Sequence, residues 1–217
     1  MDESIVGSGQ TSTTRFAGNN GRGVHNLIAL VGNYAPRRCG IATFTTDLCT
    51  ALSGHSTDCM AVAMNDRSER YDYPSIVGFT IEQNDLACYR RAAQFLNNRV
   101  DAVSLQHEYG IFGGAAGSHI LTVLSQLRTR VVTTLHTVLR KPTTEQREVL
   151  EQVGRLSDRV IVMSHRGAEF LQEIYCVPPE KIDFIPHGIP DFAFVDPSFY
   201  KGQFGVPGKS VLMTFGL

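Results

Sequence analysis

Long apolar runs are missing from this sequence. No stretch approaches the roughly 18 consecutive apolar residues of a membrane-spanning helix, which argues against a transmembrane segment. The opening MDESIVGSGQTSTTRFAGNNGRG is polar and rich in Gly, Ser and Thr, so it lacks the apolar core of a signal peptide. Residues 1–24 read as a flexible tail. An excess of either charge is missing too, with 20 basic against 21 acidic residues and a net charge of −1. A nucleic-acid binder concentrates basic charge, so that class loses weight. Paired cysteines are also absent. The five that occur (Cys39, Cys49, Cys59, Cys88, Cys176) form no Cys-x-x-Cys, which fits neither a disulfide framework nor a zinc site. Together with the lack of any Asn-x-Ser/Thr acceptor, this points to a reducing compartment, the cytoplasm.

What is present is enough for a core. Leu, Ile, Val and Phe make up about 28 % of the 217 residues, above the roughly 20 % below which chains stay disordered. Apolar runs then alternate with helical periodicity. LIALVG (27–32), CMAVAM (59–64), SIVGFTI (75–81), AVSLQH (102–107), VVTTLH (131–136), RVIVMS (159–164) and KIDFIP (181–186) read as strands. Between them, Ile41 to Leu52, an Asn84-capped segment to Asn97, Ser118 to Leu127, Thr144 to Leu156 and a Ser164-capped segment to Tyr175 read as helices. Strands separated by helices of 10–15 residues call for an α/β fold, a Rossmann-like open parallel sheet with helices on both faces. The expected organisation is a domain over 25–191, a linker over 192–209, and SVLMTFGL (210–217) as the first strand of a further domain.

Three tempting motifs fail on spacing. Gly208-Lys209-Ser210 resembles the end of a phosphate-binding loop, but the required first glycine is Gln203 and the segment precedes a strand. His107-Glu108 begins a His-Glu-x-x-His pattern whose last position is Ile111. GNYAPRRCG (32–40) stands where a dinucleotide fold keeps its glycine loop, without the Gly-x-Gly-x-x-Gly spacing. The start of the Ile41 helix nevertheless offers backbone amides to an anion, reinforced by Arg37 and Arg38.

Ligands of open α/β sheets bind at the carboxyl ends of strands. Polar groups gather at those ends: Arg37 and Arg38 after the first strand, His107-Glu108 after the fourth, His136 after the fifth, Ser164-His165 after the sixth and His187 after the seventh. Gly110, Gly113, Gly114 and Gly117 follow His107-Glu108, either to admit a ligand to the backbone or to make tight turns. Tyr109 and Phe112 stack on a sugar or pack on the sheet.

YAPRRCGIATFTTDL (34–48), SLQHEYGIFGG (104–114), TTLHTVL (133–139), DRVIVMSHRGAEFL (158–171), EKIDFIPHGIPD (180–191) and VLMTFGL (211–217) together resemble the N-terminal domain of retaining family-4 glycosyltransferases of the GT-B fold. The resemblance implies two Rossmann-like domains facing across a cleft, with acceptor bound by the first and nucleotide-sugar donor by the second. It places Arg38, Cys39, Gly40 and Ile41 near the donor phosphates and His136 beside the transferred sugar. It turns His107 and Glu108 to the acceptor and puts His187 and Gly188 at the cleft; Arg37, Tyr109, Gly110, Ser164 and His165, gathered at or after the same strand ends, are expected to join the acceptor site. It implies transfer without metal or other cofactor, to an acceptor that is a sugar, lipid-linked or phosphorylated, with peripheral membrane contact allowed. The family's donor-side Arg/Lys pair and Glu-x7-Glu carboxylates belong to the second domain. The chain alone is therefore expected to be inactive. The alternatives are a non-catalytic sugar or phosphosugar module and a nucleotide-sugar epimerase on the same fold.

Overall fold

The computed structural model describes residues 27–55, 57–67, 69–189 and 193–214. The tail expected over 1–24 lies outside them, as do residues 190–192 and 215–217. The chain divides between Ile185 and Pro186 into two compact units.

The first unit is built on seven strands: β1 (Leu27–Gly32), β2 (Asp58–Asn65), β3 (Val77–Glu82), β4 (Ala102–His107), β5 (Arg130–Leu135), β6 (Arg159–Val162) and β7 (Ile182–Phe184). They form one sheet in the order β3-β2-β1-β4-β5-β6-β7, every neighbouring pair parallel. Five helices join them: α1 (Gly40–Ser53), α2 (Leu86–Asn97), α3 (Ile120–Leu124), α4 (Thr144–Leu156) and α5 (His165–Glu173). This is the Rossmann-like α/β architecture that the alternating pattern predicts.

Strand alternation explains the two layers of core. Ala29, Val31, Val62 and Met64 face α2 to α5, joining Tyr89, Leu96, Ile120, Leu150 and Leu171 in one cluster. Leu30, Ala61 and Ala63 face the other way, packing with Cys49 of α1. Ala29, Leu30 and Val31 are all fully buried, as a central parallel strand with both faces covered requires. The order reverses at β1: the chain runs outward to β2 and β3, then returns to lay β4 on the opposite flank. The loops leaving the carboxyl ends of β1 and β4 therefore diverge, which opens a crevice at that edge.

The boundaries differ from expectation where side chains compete for caps. Asp85, not Asn84, caps α2, its carboxylate accepting from the Ala87 amide. The helix expected over 118–127 is only α3, preceded by a 3-10 turn at Ala115–Gly117. Positive φ at Gly114, Ala116 and Gly117 keeps that stretch from joining the helix. α5 ends at Glu173, short of Tyr175.

The second unit holds α6 (Pro197–Gln203), inside the segment expected to be a linker. Asp196 accepts from the Ser198 amide and Pro197 takes the first helical position, a start signal visible in the sequence. Residues 210–214 of the expected final strand are not in regular secondary structure.

Candidate active site

The loop leaving β1 is organised by Cys39, the residue before α1. Its Sγ accepts from the Ala42 amide at 3.4 Å and from Asn33 Nδ2 at 3.3 Å, which fixes the start of the helix against the strand end. The amides of Gly40 and Ile41 come first in α1 and have no acceptor inside it. No acidic side chain lies in that first turn, so the positive end of the helix is left uncompensated. A Cβ on Gly40 would meet nothing within 4 Å. The fold itself does not need glycine there, and the bare backbone is open to an approaching group.

The two arginines beside it divide. Arg37 pairs with Asp66 at the end of β2, Nη2 to Oδ2 at 3.1 Å, and its Nη1 is buried without a hydrogen-bond partner. Arg38 is exposed and forms no ion pair with the described residues. An exposed guanidinium close in sequence to helix-start amides suits a phosphate.

At the end of β4 the period of two sends neighbours to opposite faces. His107 is fully buried, edge-on to Tyr109 at 5.3 Å and tilted on Phe112 at 6.0 Å, with neither ring nitrogen hydrogen-bonded. Burial, with His136 nearby, pushes its pKa down to about 4, so it is a neutral ring in the core. Expected to face an acceptor, it is closed off from solvent here. Glu108 is engaged locally: one oxygen accepts from the Tyr109 amide at 2.9 Å, the other from the Thr137 hydroxyl. Tyr109 is buried, and burial raises its pKa.

The glycines after β4 separate by their surroundings. A Cβ on Gly113 would lie 2.0 Å from the Gln83 carbonyl oxygen, and Gly114 and Gly117 have positive φ, so these three serve the turn. The Gly113 amide donates to the buried Tyr89 hydroxyl, which donates onward to the Gln83 carbonyl. Gly110 is exposed with nothing within 4 Å of a Cβ, and so resembles Gly40.

His136, at the end of β5, is half-buried and held from three sides. Its amide donates to the His107 carbonyl at 3.1 Å, its Nε2 lies 3.0 Å from Gln106 Oε1, and its ring meets Phe44 of α1 edge-on at 4.8 Å. Phe44 lies one turn into α1, so the imidazole sits against the helix whose first amides are bare. Gln106, Phe44 and Asn33 escaped the sequence reading. Strand alternation could have found Gln106, because it shares the face of β4 opposite to His107.

Farther along the edge, Ser164 caps α5 by accepting from the Gly167 amide at 3.0 Å, and His165 stacks on Phe184 at 3.9 Å. Both are exposed. In the second unit, His187 Nδ1 lies 2.7 Å from the carbonyl oxygen of Gly188. Among the described residues no group of His, Cys, Asp and Glu could hold a metal ion, and no helix is long and apolar enough to cross a membrane.

The family model described as Glycosyltransferase Family 4 matches residues 39–191, over half of the chain. The chain belongs to glycosyltransferase family 4. No curated relative matches it. Among solved structures, it is similar to a glycosyltransferase from Rickettsia africae ESF-5, at 16 % identity and TM-score 0.57 over 84 % of this chain and 50 % of that one. It is similar to an alpha-glucosyltransferase in complex with UDP, at 17 % identity and TM-score 0.51 over 76 % of this chain and 42 % of the other. A third likeness is to an alpha-glucosyltransferase in complex with UDP and a 13-mer DNA containing a HMU base, at 16 % identity and TM-score 0.50 over 70 % of this chain and 40 % of the other. At such identities the likeness concerns the fold. The family-4 chain spans between 40 and 50 % of the length of these structures.

Proposed function

We propose that this chain is the acceptor-binding half of a retaining glycosyltransferase, moving a hexose from a nucleotide-sugar to an acceptor hydroxyl. The observation that carries the reading is the half-buried His136 ring seated against Phe44, one turn into the helix α1 that opens with the bare amides of Gly40 and Ile41. Such a site serves a reaction in which a sugar carries developing positive charge and its diphosphate leaves with negative charge. The acceptor oxygen forms its bond to the anomeric carbon on the face from which the diphosphate departs, and the acceptor proton passes to a leaving phosphate oxygen. Helix-start amides and Arg38 favour the departing anion. No metal or other cofactor is needed by this scheme.

Gly110 leaves the backbone open after β4, on the acceptor side, and the Thr137–Glu108 bond holds the two strand ends together there. The acceptor class is a sugar, lipid-linked or phosphorylated molecule. The flat charge of the chain disfavours nucleic acid, although several of the similar solved structures hold DNA. The cytoplasmic side is the proposed location.

Donor-side charge would come from a second domain, and the proposal therefore assigns little or no transfer to this chain alone. The test is a radiolabelled sugar-transfer assay with UDP-glucose first, UDP being the nucleotide held by the two alpha-glucosyltransferase structures above. Sugar, lipid-linked and duplex DNA acceptors are tried in parallel. Transfer by a longer protein containing this sequence, and none by the chain alone, is the expected pair of results. Turnover by the chain alone would overturn the division of labour.

A further inference from the structure

Gln106 is fully buried, yet its carboxamide is spent on two polar neighbours. Its Nε2 donates to Ser104 Oγ at 3.0 Å, two residues back on the same face of β4. That leaves Oε1 as the acceptor facing His136 Nε2 at 3.0 Å, from a residue 30 positions away in the chain. A carboxamide oxygen accepts and cannot donate, so the imidazole nitrogen that meets it carries a proton.

The bond is confined on its other side as well. A Cβ on Gly32 would stand 3.0 Å from Gln106 Cβ and 3.7 Å from its Cγ. The glycine closing β1 thus lets the stem of Gln106 lie flat between the two strands at the switch point. Gly32, Ser104 and Gln106 make a fixed seat, and the edge contact with Phe44 holds the ring from α1.

We infer that Gln106 is a positioning residue for His136, setting which ring nitrogen is protonated and the angle at which the imidazole meets the sugar. The inference rests on the transferase reading for its purpose, but not for its geometry. An isolated imidazole divides its proton between two nitrogens, and only one arrangement presents a given donor to a given hydroxyl. A buried acceptor fixed on one side removes that ambiguity.

The experiment is nitrogen–proton correlation of the histidine rings in the chain labelled with 15N-histidine, the His136 signals being assigned by their loss in His136→Gln. Wild-type protein is expected to show His136 protonated at Nε2, with that proton protected from exchange. Gln106→Met keeps an unbranched stem against Gly32 and removes the acceptor; the Nε2 proton should lose its protection and the ring nitrogens should move toward averaged shifts. Gln106→Glu restores an acceptor oxygen and should recover the protected proton. Ser104→Ala, which frees the carboxamide to turn, should give a partial loss and serves if the Met variant does not fold. An unchanged Nε2 signal in both Gln106→Met and Ser104→Ala would overturn the inference. No substrate enters this measurement, so its failure is distinct from failure of the transferase reading, which sugar transfer decides.

Discussion

His107 and His136 are neighbours in space with opposite surroundings. His107 is sealed in the core with a pKa pushed down to about 4 by burial, then by His136. An unfolded histidine titrates near 6.5, so below that pH the unfolded chain binds a proton that the folded one refuses. The stability this ring contributes is complete above about pH 6.5 and is lost as pH falls toward 4, a change of the order of 3 kcal/mol. Urea unfolding of His107→Leu between pH 7 and 4.5 should show a much flatter decline than wild type; parallel declines would contradict the burial of a neutral ring. Tyr89 gives a second test at this scale. Its hydroxyl joins the Gly113 amide to the Gln83 carbonyl, so Tyr89→Phe leaves two groups without their partner and should cost about 1–3 kcal/mol in chemical denaturation. Neither role was legible in the sequence. His107-Glu108 reads as a site pair because both are chemistry-bearing and adjacent, whereas adjacency in a strand puts them on different faces.

Among the elements, helix ends carry the information. α4 was readable to the residue because Thr143 and Gln146 form a reciprocal cap that the sequence spells out. Its far end also falls at Leu156 as expected, but the group that covers it was not readable: Lys181, 24 residues or more along the chain, donates from Nζ to the carbonyls of Gly154, Arg155 and Ser157. Lys181→Met keeps the stem and removes the charge at the negative end of the helix, with an expected loss of about 1–2 kcal/mol by thermal or chemical unfolding. The α1 terminus supplies the functional counterpart. Because a Cβ on Gly40 meets open space, Gly40→Val should change stability by less than about 1 kcal/mol. If the bare amides bind the donor phosphates, the same substitution in a longer protein containing this sequence should reduce sugar transfer at least about tenfold. A variant that transfers normally would return Gly40 to an ordinary helix start. α3 and α6 were misjudged for local reasons: positive φ at three residues shortens the first, and an Asp-Pro start hidden in a proline- and glycine-bearing stretch begins the second.

For the whole molecule, the parallel sheet was legible because buried strands read as apolar runs and the intervening helices keep a period of their own. The strand order brought His136, Gln106 and the start of α1 to one edge, and it places the switch point where β1 and β4 part. Charge told less, since 20 basic and 21 acidic residues leave the ligand's sign to a few local groups. Arg37 illustrates this, being drawn to Asp66 while Arg38 stays exposed. The central claim is that His136 works at the transferred sugar. The direct measurement is kcat for sugar transfer by His136→Ala, made in a longer protein containing this sequence and shown by circular dichroism to be folded. A fall of about 100-fold or more is the result this structure predicts; near-normal turnover by a folded variant would contradict it and remove His136 from the site.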